Sequence, residues 1–157
     1  MIILLDFDGT CTWQLPEPGC PLEDPPRVCE VLNRLIRKGH RLILWTSRND
    51  SIDNPFNYNS DGEPREENSL EEAIRWFRER NILLSGVNGY PGEEQFVGTS
   101  RKPYGELLID DMSIGISRIE SEIDYIRYYD GDIVRNYYTY CVDWIKLEKT
   151  LINRGII

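Results

Sequence analysis

The segment Asp6-Phe7-Asp8-Gly9-Thr10 carries two carboxylates two positions apart. Residues at i and i+2 of an extended chain point the same way, so Asp6 and Asp8 can face one pocket, and Gly9 permits a tight turn with close backbone approach behind them. Neighbouring carboxylates repel, and both stay ionised only where a cation is shared. An oxygen-rich site with few carboxylates and several waters suits Mg2+. A second acidic pair, Asp110-Asp111, supplies the missing third carboxylate. Thr46 offers a hydroxyl, and Lys102, eight residues before Asp110, offers a cation near enough in sequence to enter the same place. Singly, each of these is more often an ordinary solvated polar group. Together, at matched positions, they shift the balance toward one shared site.

Such residues need a scaffold that gathers them. Ile2 to Leu5 is a short apolar run without alternation, the pattern of a parallel strand buried on both faces, and it stops at Asp6. From Pro25 to Lys38 the residues Val28, Val31, Leu32, Leu35 and Ile36 recur at helical spacing, and Gly39 is placed to end the helix. Arg41 to Trp45 reads as a second buried strand running into Thr46-Ser47-Arg48. Residues 49–68, rich in Asn, Asp, Ser, Pro and Gly, read as a long surface loop. Ser69-Leu70-Glu71-Glu72 fits a capping box, opening a helix with Leu70, Ala73, Ile74 and Phe77 on one face. A short third strand is expected near Ile82 to Leu84, and a fourth over Glu106 to Ile109, ending in Asp110-Asp111. Ile119 to Tyr129 and Tyr137 to Arg154 read as helical, the second with Tyr140, Trp144, Leu147 and Leu151 on one face and Gly155 past its end. The tyrosines between Tyr125 and Tyr140 are expected to pack rather than to bind.

Strands alternating with helices predict an α/β fold: a three-layer Rossmann-like sandwich with a central, mainly parallel sheet, right-handed crossovers and helices on both faces. Ligands of such sheets bind outside the carboxyl ends of the strands, and three of those ends carry Asp6, Thr46 and Asp110-Asp111. The expected organisation is one domain over residues 1–157, with a core over 1–112 and a C-terminal helical extension over 113–157.

A chain of 157 residues with 40% apolar content can bury one core. The 27 acidic and 18 basic residues give a net charge of −9, which would repel a nucleic-acid backbone and disfavours that partner. Cys11, Cys20, Cys29 and Cys141 form no C-x-x-C pair and have one histidine, His40, to help them, which argues against a zinc site. The run Ile2 to Leu5 is too short for a signal peptide, so reduced thiols and a cytoplasmic location are expected. No stretch approaches the length of a transmembrane helix.

The strand-end residues, in this order, resemble the four motifs of the haloacid dehalogenase-like superfamily. DFDGT after an apolar strand resembles the first, Thr46 closing RLILWT the second, Lys102 in SRKPYGELLIDD the third, and Asp110-Asp111 the fourth. The resemblance implies a magnesium-dependent phosphomonoester hydrolase. Asp6 would be the nucleophile that forms an aspartyl-phosphate, and Asp8 the general acid and then base. The metal would be held by the Asp6 carboxylate, the Asp8 main-chain carbonyl and Asp110, with Asp111 behind them. Thr46 would donate a hydrogen bond to a phosphoryl oxygen, and Lys102 would offset charge. The resemblance further implies a small flap over Cys11 to Asp24 and no large cap domain between Ser47 and Arg101. The site would then be open to a bulky substrate or covered by a neighbouring subunit. Arg101 competes with Lys102 for the cationic role, and Arg48 either reaches a substrate group or forms a surface salt bridge. Trp13 and the acidic stretch Glu63 to Glu72 receive no role.

Other readings are a phosphotransferase, or a polynucleotide 3′-phosphatase, against which the acidic balance counts. A receiver-like signalling module would carry its acidic pair early, whereas here that pair comes last. A non-catalytic phosphate-binding module would be expected to have lost a motif residue. The expected partner is a phosphorylated substrate, small or macromolecular, with no nucleic acid and no membrane; self-association is left open.

Overall fold

The computed structural model describes residues 1–14, 22–51, 57–58, 62–89, 104–123, 127–129, 132–134 and 137–157, with the backbone alone over 122–138. Strands β1 (Ile2–Leu5), β2 (Arg41–Leu44), β3 (Leu84–Val87) and β4 (Leu107–Ile109) form a parallel sheet in the order β3-β2-β1-β4. Helix α1 (Val28–Arg37) connects β1 to β2, and α2 (Ser69–Glu79) lies between β2 and β3. This is an α/β fold of the Rossmann-like kind. The third strand starts at Leu84, two residues later than its apolar run suggests. Ile82 instead closes the end of α2, donating its N–H to the Phe77 carbonyl, and is buried.

Helices of 10 and 11 residues are too short to persist alone in water, so burial has to hold them. Ile3, Leu5, Leu42, Leu44 and Ile109 from one face of the sheet pack with Val31, Leu32 and Leu35 of α1 and Ala73, Trp76 and Phe77 of α2. Each such side chain contributes roughly 1.5–3 kcal/mol on leaving water. On the opposite face Leu4 and Ile43 are also buried. There Gly105 sits so close that a Cβ would collide with the Leu4 side chain. Helix α2 is capped by Asn68 rather than by Ser69: the Asn68 side chain accepts from the Glu71 N–H at 2.9 Å. Ser69 is already helical and donates its hydroxyl to the Asn49 carbonyl. The residue before the expected capping box thus does the capping, which releases Glu72 for other contacts.

The C-terminal quarter corrects the helical reading. Arg118–Ile123 is a strand, β5, followed by the short strands β6 (Arg127–Tyr129) and β7 (Asp132–Val134), and Tyr137–Val142 is a strand, β8. β5 and β8 pair antiparallel from Arg118 opposite Val142 to Ile123 opposite Tyr137. β-Branched and aromatic residues, among them Ile119, Ile123, Thr139 and Val142, favour this pleated pairing over a helix. Only then does a helix begin. Asp143 caps α3 (Trp144–Asn153) by accepting from the Lys146 N–H, and Trp144 and Leu151 join the core against the other helices. Tyr140, expected on the helical face with Trp144, belongs to β8.

Candidate functional site

The chain passes from β1 to β2 on one side and later returns to add β4 on the other, so the sheet changes direction at β1. The crevice beyond the carboxyl ends at such a point is where open α/β sheets bind ligands. Register brings the acidic residues together there. Leu5 pairs with Ile109, and the Asp6 N–H donates to the Ile109 carbonyl at 3.0 Å, which sets Asp6 beside Asp110. One ligand atom from each of Asp6, Asp110 and Asp111 lies within 4.8 Å of the others. On the other flank, Leu5 pairs with Leu44, so Thr46 follows β2 at the same level.

The turn after β1 is wound tightly. The Phe7 carbonyl accepts the N–H groups of Thr10, Cys11 and Thr12, at 3.2, 2.8 and 3.2 Å. Gly9 adopts φ +72°, and a Cβ there would stand 3.1 Å from both Asp111 Cγ and the Tyr140 ring. Glycine therefore meets a backbone and a packing requirement together. The buried Thr10 hydroxyl accepts from the Asp111 N–H at 3.0 Å and donates to Asp6 Oδ2 at 3.0 Å, which links the two acidic segments. Strand β8 and the start of α3 hold this turn from outside. Val142 N–H donates to the Gly9 carbonyl at 2.8 Å, Trp144 Nε1 to the Thr10 carbonyl at 2.8 Å, and Gln14 N–H to the Tyr140 carbonyl at 2.9 Å.

Burial pushes the Asp6 carboxyl up to about 7; the Phe7 N–H and the Thr10 hydroxyl oppose that rise, while the charges of Asp110 and Asp8 add to it. Asp111 is also raised, by burial first and then by Asp110, with Arg118 opposing. Carboxyls that resist ionisation beside one another form a site short of positive charge. The donors are all carboxylate oxygens, a set that fits a hard divalent cation. His and Cys ligands, which would point to zinc, are absent from this group.

The Asp8 carboxylate faces a different partner. Arg48 Nε donates to Asp8 Oδ2 at 2.9 Å and Nη2 to Asp8 Oδ1 at 2.7 Å, a two-pronged pairing. Arg48 Nη1 donates to Glu72 Oε2 at 2.7 Å and to the Ser69 carbonyl at 3.2 Å, and the guanidinium lies 4.7 Å from the centre of the Phe7 ring. Glu72 in turn accepts from Arg65 at 3.0 Å. Burial works against the Arg48 charge, but hydrogen bonding and attraction to Asp8 and Glu72 outweigh it and raise its pKa. The Arg48 side chain is only 10% exposed, so this is neither a surface salt bridge nor a free cation. The Thr46 hydroxyl accepts from the Arg48 N–H, and the Thr46 N–H donates to Asn88 Oδ1 at 2.9 Å.

Of the residues singled out in the sequence, Asp6, Asp110 and Asp111 converge, Asp8 adjoins them but turns its carboxylate to Arg48, and Thr46 stands at the neighbouring strand end. Lys102 and Arg101 lie outside the described residues, as do most of the flap beyond Gln14 and part of the loop 49–68. Cys11, Cys29 and Cys141 are free thiols. No described helix is long and apolar enough to cross a membrane. Three contributors carry no such role in the sequence reading: Glu72 and Asn88, whose partners are distant in the chain, and Trp144, which reads there as one residue of an apolar helical face.

No protein-family model and no curated protein matches the chain. A solved structure, of a conserved protein coded by a locus from Bacteroides thetaiotaomicron, is similar to it. The two are 34% identical over 73% of this chain and 78% of that one, with a TM-score of 0.53.

Proposed function

We propose that this chain, which belongs to the family of the conserved Bacteroides thetaiotaomicron protein, is a magnesium-dependent phosphomonoesterase of the haloacid dehalogenase-like type that works through a phosphorylated Asp6. The observation that carries the reading is the convergence of Asp6, Asp110 and Asp111 at the sheet's change of direction, with a fourth carboxylate, Asp8, held apart on an arginine. One carboxylate is thereby grouped for nucleophilic and metal chemistry and another is separated for proton transfer.

In the first step an Asp6 carboxylate oxygen attacks phosphorus, the bond to the ester oxygen breaks, and the leaving oxygen takes a proton from the Asp8 carboxyl. In the second, water attacks phosphorus and gives its proton to the Asp8 carboxylate. Inorganic phosphate leaves with the Asp6 carboxylate restored. Asp6, Asp110 and the Asp8 main-chain carbonyl would hold Mg2+, with Asp111 behind; bound there, the ion offsets charge on the transferring phosphoryl oxygens. The Thr46 hydroxyl accepts from the Arg48 N–H and keeps its own proton for a phosphoryl oxygen. The resemblance assigns Lys102 as the cation.

The test is phosphate release from an aryl phosphate and a panel of phosphorylated metabolites, with and without Mg2+. Turnover is expected to need the metal and to vanish in Asp6→Asn. Near-normal activity in that variant would remove Asp6 as nucleophile, and silence of the wild type across the panel would sink a small-molecule monoesterase. Phosphate appearing without an added acceptor excludes an obligate transferase.

A further inference from the structure

The Asp8–Arg48–Glu72 chain asks for an explanation beyond charge balance. Arg48 spends Nε and Nη2 on the two oxygens of Asp8 and Nη1 on Glu72 and the Ser69 carbonyl, so no nitrogen of the fork is without a partner. A residue waiting for a substrate anion would hold donors in reserve. A purely structural arginine would be satisfied by Glu72 and the Ser69 carbonyl alone. The two-pronged contact does something more specific, because two parallel hydrogen bonds fix the plane of a carboxylate as well as its distance.

Asp8 needs such a holder, since it lies beyond the last residue of β1 and its carboxylate has no other hydrogen bond among the described residues. Arg48 is itself anchored. Its guanidinium lies over the buried Phe7 ring, and Glu72 is pinned from its other oxygen by Arg65. The first turn of α2 supplies both Glu72 and the Ser69 carbonyl, and that turn is tied to the β2 loop through Asn57, whose Oδ1 accepts the Ser69 N–H at 2.7 Å.

We infer that Arg48 is a positioning residue that aims the Asp8 carboxyl at the reacting phosphoryl group, with Glu72 and the start of α2 as its fixed mount. This rests on the proposed reading of Asp8 as acid and base. Misplacing a reacting group by about 1 Å can cost on the order of a hundredfold in rate, so the mount governs turnover rather than substrate affinity.

The test measures kcat, KM and melting temperature with an aryl phosphate and Mg2+ for wild type, Arg48→Met, Arg48→Lys, Asp8→Asn and the double variant Asp8→Asn/Arg48→Met. Arg48→Met is expected to lower kcat roughly tenfold to a hundredfold with KM changed by less than about threefold. Lysine, lacking the fork, should recover little of that loss. In the Asp8→Asn background, removing Arg48 should cost almost nothing further. Additive losses, a loss carried by KM, or full activity of Arg48→Lys would each overturn the inference. If Arg48→Met does not fold, Glu72→Gln weakens the mount while leaving Arg48 in place. It should lower kcat severalfold at constant KM, and unchanged kcat would overturn the inference. A wild type that releases no phosphate fells the proposed reaction and this role together. An active, Asp6-dependent wild type with additive Arg48 losses fells this role alone.

Discussion

Asp6 pays for its position in the currency of protonation. Its carboxyl titrates near 7 in the folded protein against an ordinary 3.8, with burial as the largest cause. Between those values the folded chain holds a proton that the unfolded chain has lost, so metal-free stability falls as pH rises from about 4 to about 7 and levels off above. Three pK units set a ceiling of about 4 kcal/mol on that loss. Asp6→Asn cannot ionise and escapes it. In chelator-treated protein, the melting temperature of Asp6→Asn relative to wild type should therefore climb between pH 5 and pH 8; an offset independent of pH would refute the account. The repulsion between acidic residues was legible in the spacing of Asp6 and Asp8, but depth was not, and depth is the larger effect. Arg48 was ambiguous for a similar reason, since Glu72 lies 24 positions away and nothing local announces the pairing.

Elements that end abruptly in polar residues were read from the sequence almost to the residue. β1, β2 and β4 are apolar runs stopped by Asp6, Trp45-Thr46 and Asp110; unbroken apolar runs mark β1 and β2 as buried on both faces, whereas Leu108 of β4 is 42% exposed. β5 and β8 were misread because their apolar residues also fit a helical spacing, and because the Asp130-Gly131 pair between β6 and β7, a hairpin turn signal, was given no weight. That misreading concealed the role of α3, whose first residue, Trp144, gives its indole N–H to the Thr10 carbonyl. Trp144→Phe keeps an aromatic ring and removes the donor. It should lower stability by about 1–3 kcal/mol, the cost of stranding a buried acceptor, and slow phosphate release because Thr10 steadies Asp6. Ile152→Ala, on the same helix but 44% exposed, should do neither. Equal melting temperatures for Trp144→Phe and wild type would count against the bond.

At the scale of the molecule, the order β3-β2-β1-β4 concentrates three carboxylates at one point of a chain whose net charge is −9. A cation that binds only the folded state relieves this and adds stability, about 1.4 kcal/mol at ten times its Kd. Mg2+ should raise the melting temperature by a few degrees, more at pH 8 than at pH 5, where the Asp6 carboxyl is protonated. The shift should disappear in Asp110→Asn; an equal shift in that variant would place the cation elsewhere. The bond between Trp144 and Thr10 spans 134 positions, and a contact of such separation carries a large loop-closure cost. Synthesis runs from β1 toward α3, so Asp6 is made well before Val142 and Trp144, the partners that set its turn. The ribosome thus delivers Asp6 before it delivers the means of holding its turn still, and the acidic cluster takes its final form only once α3 has emerged.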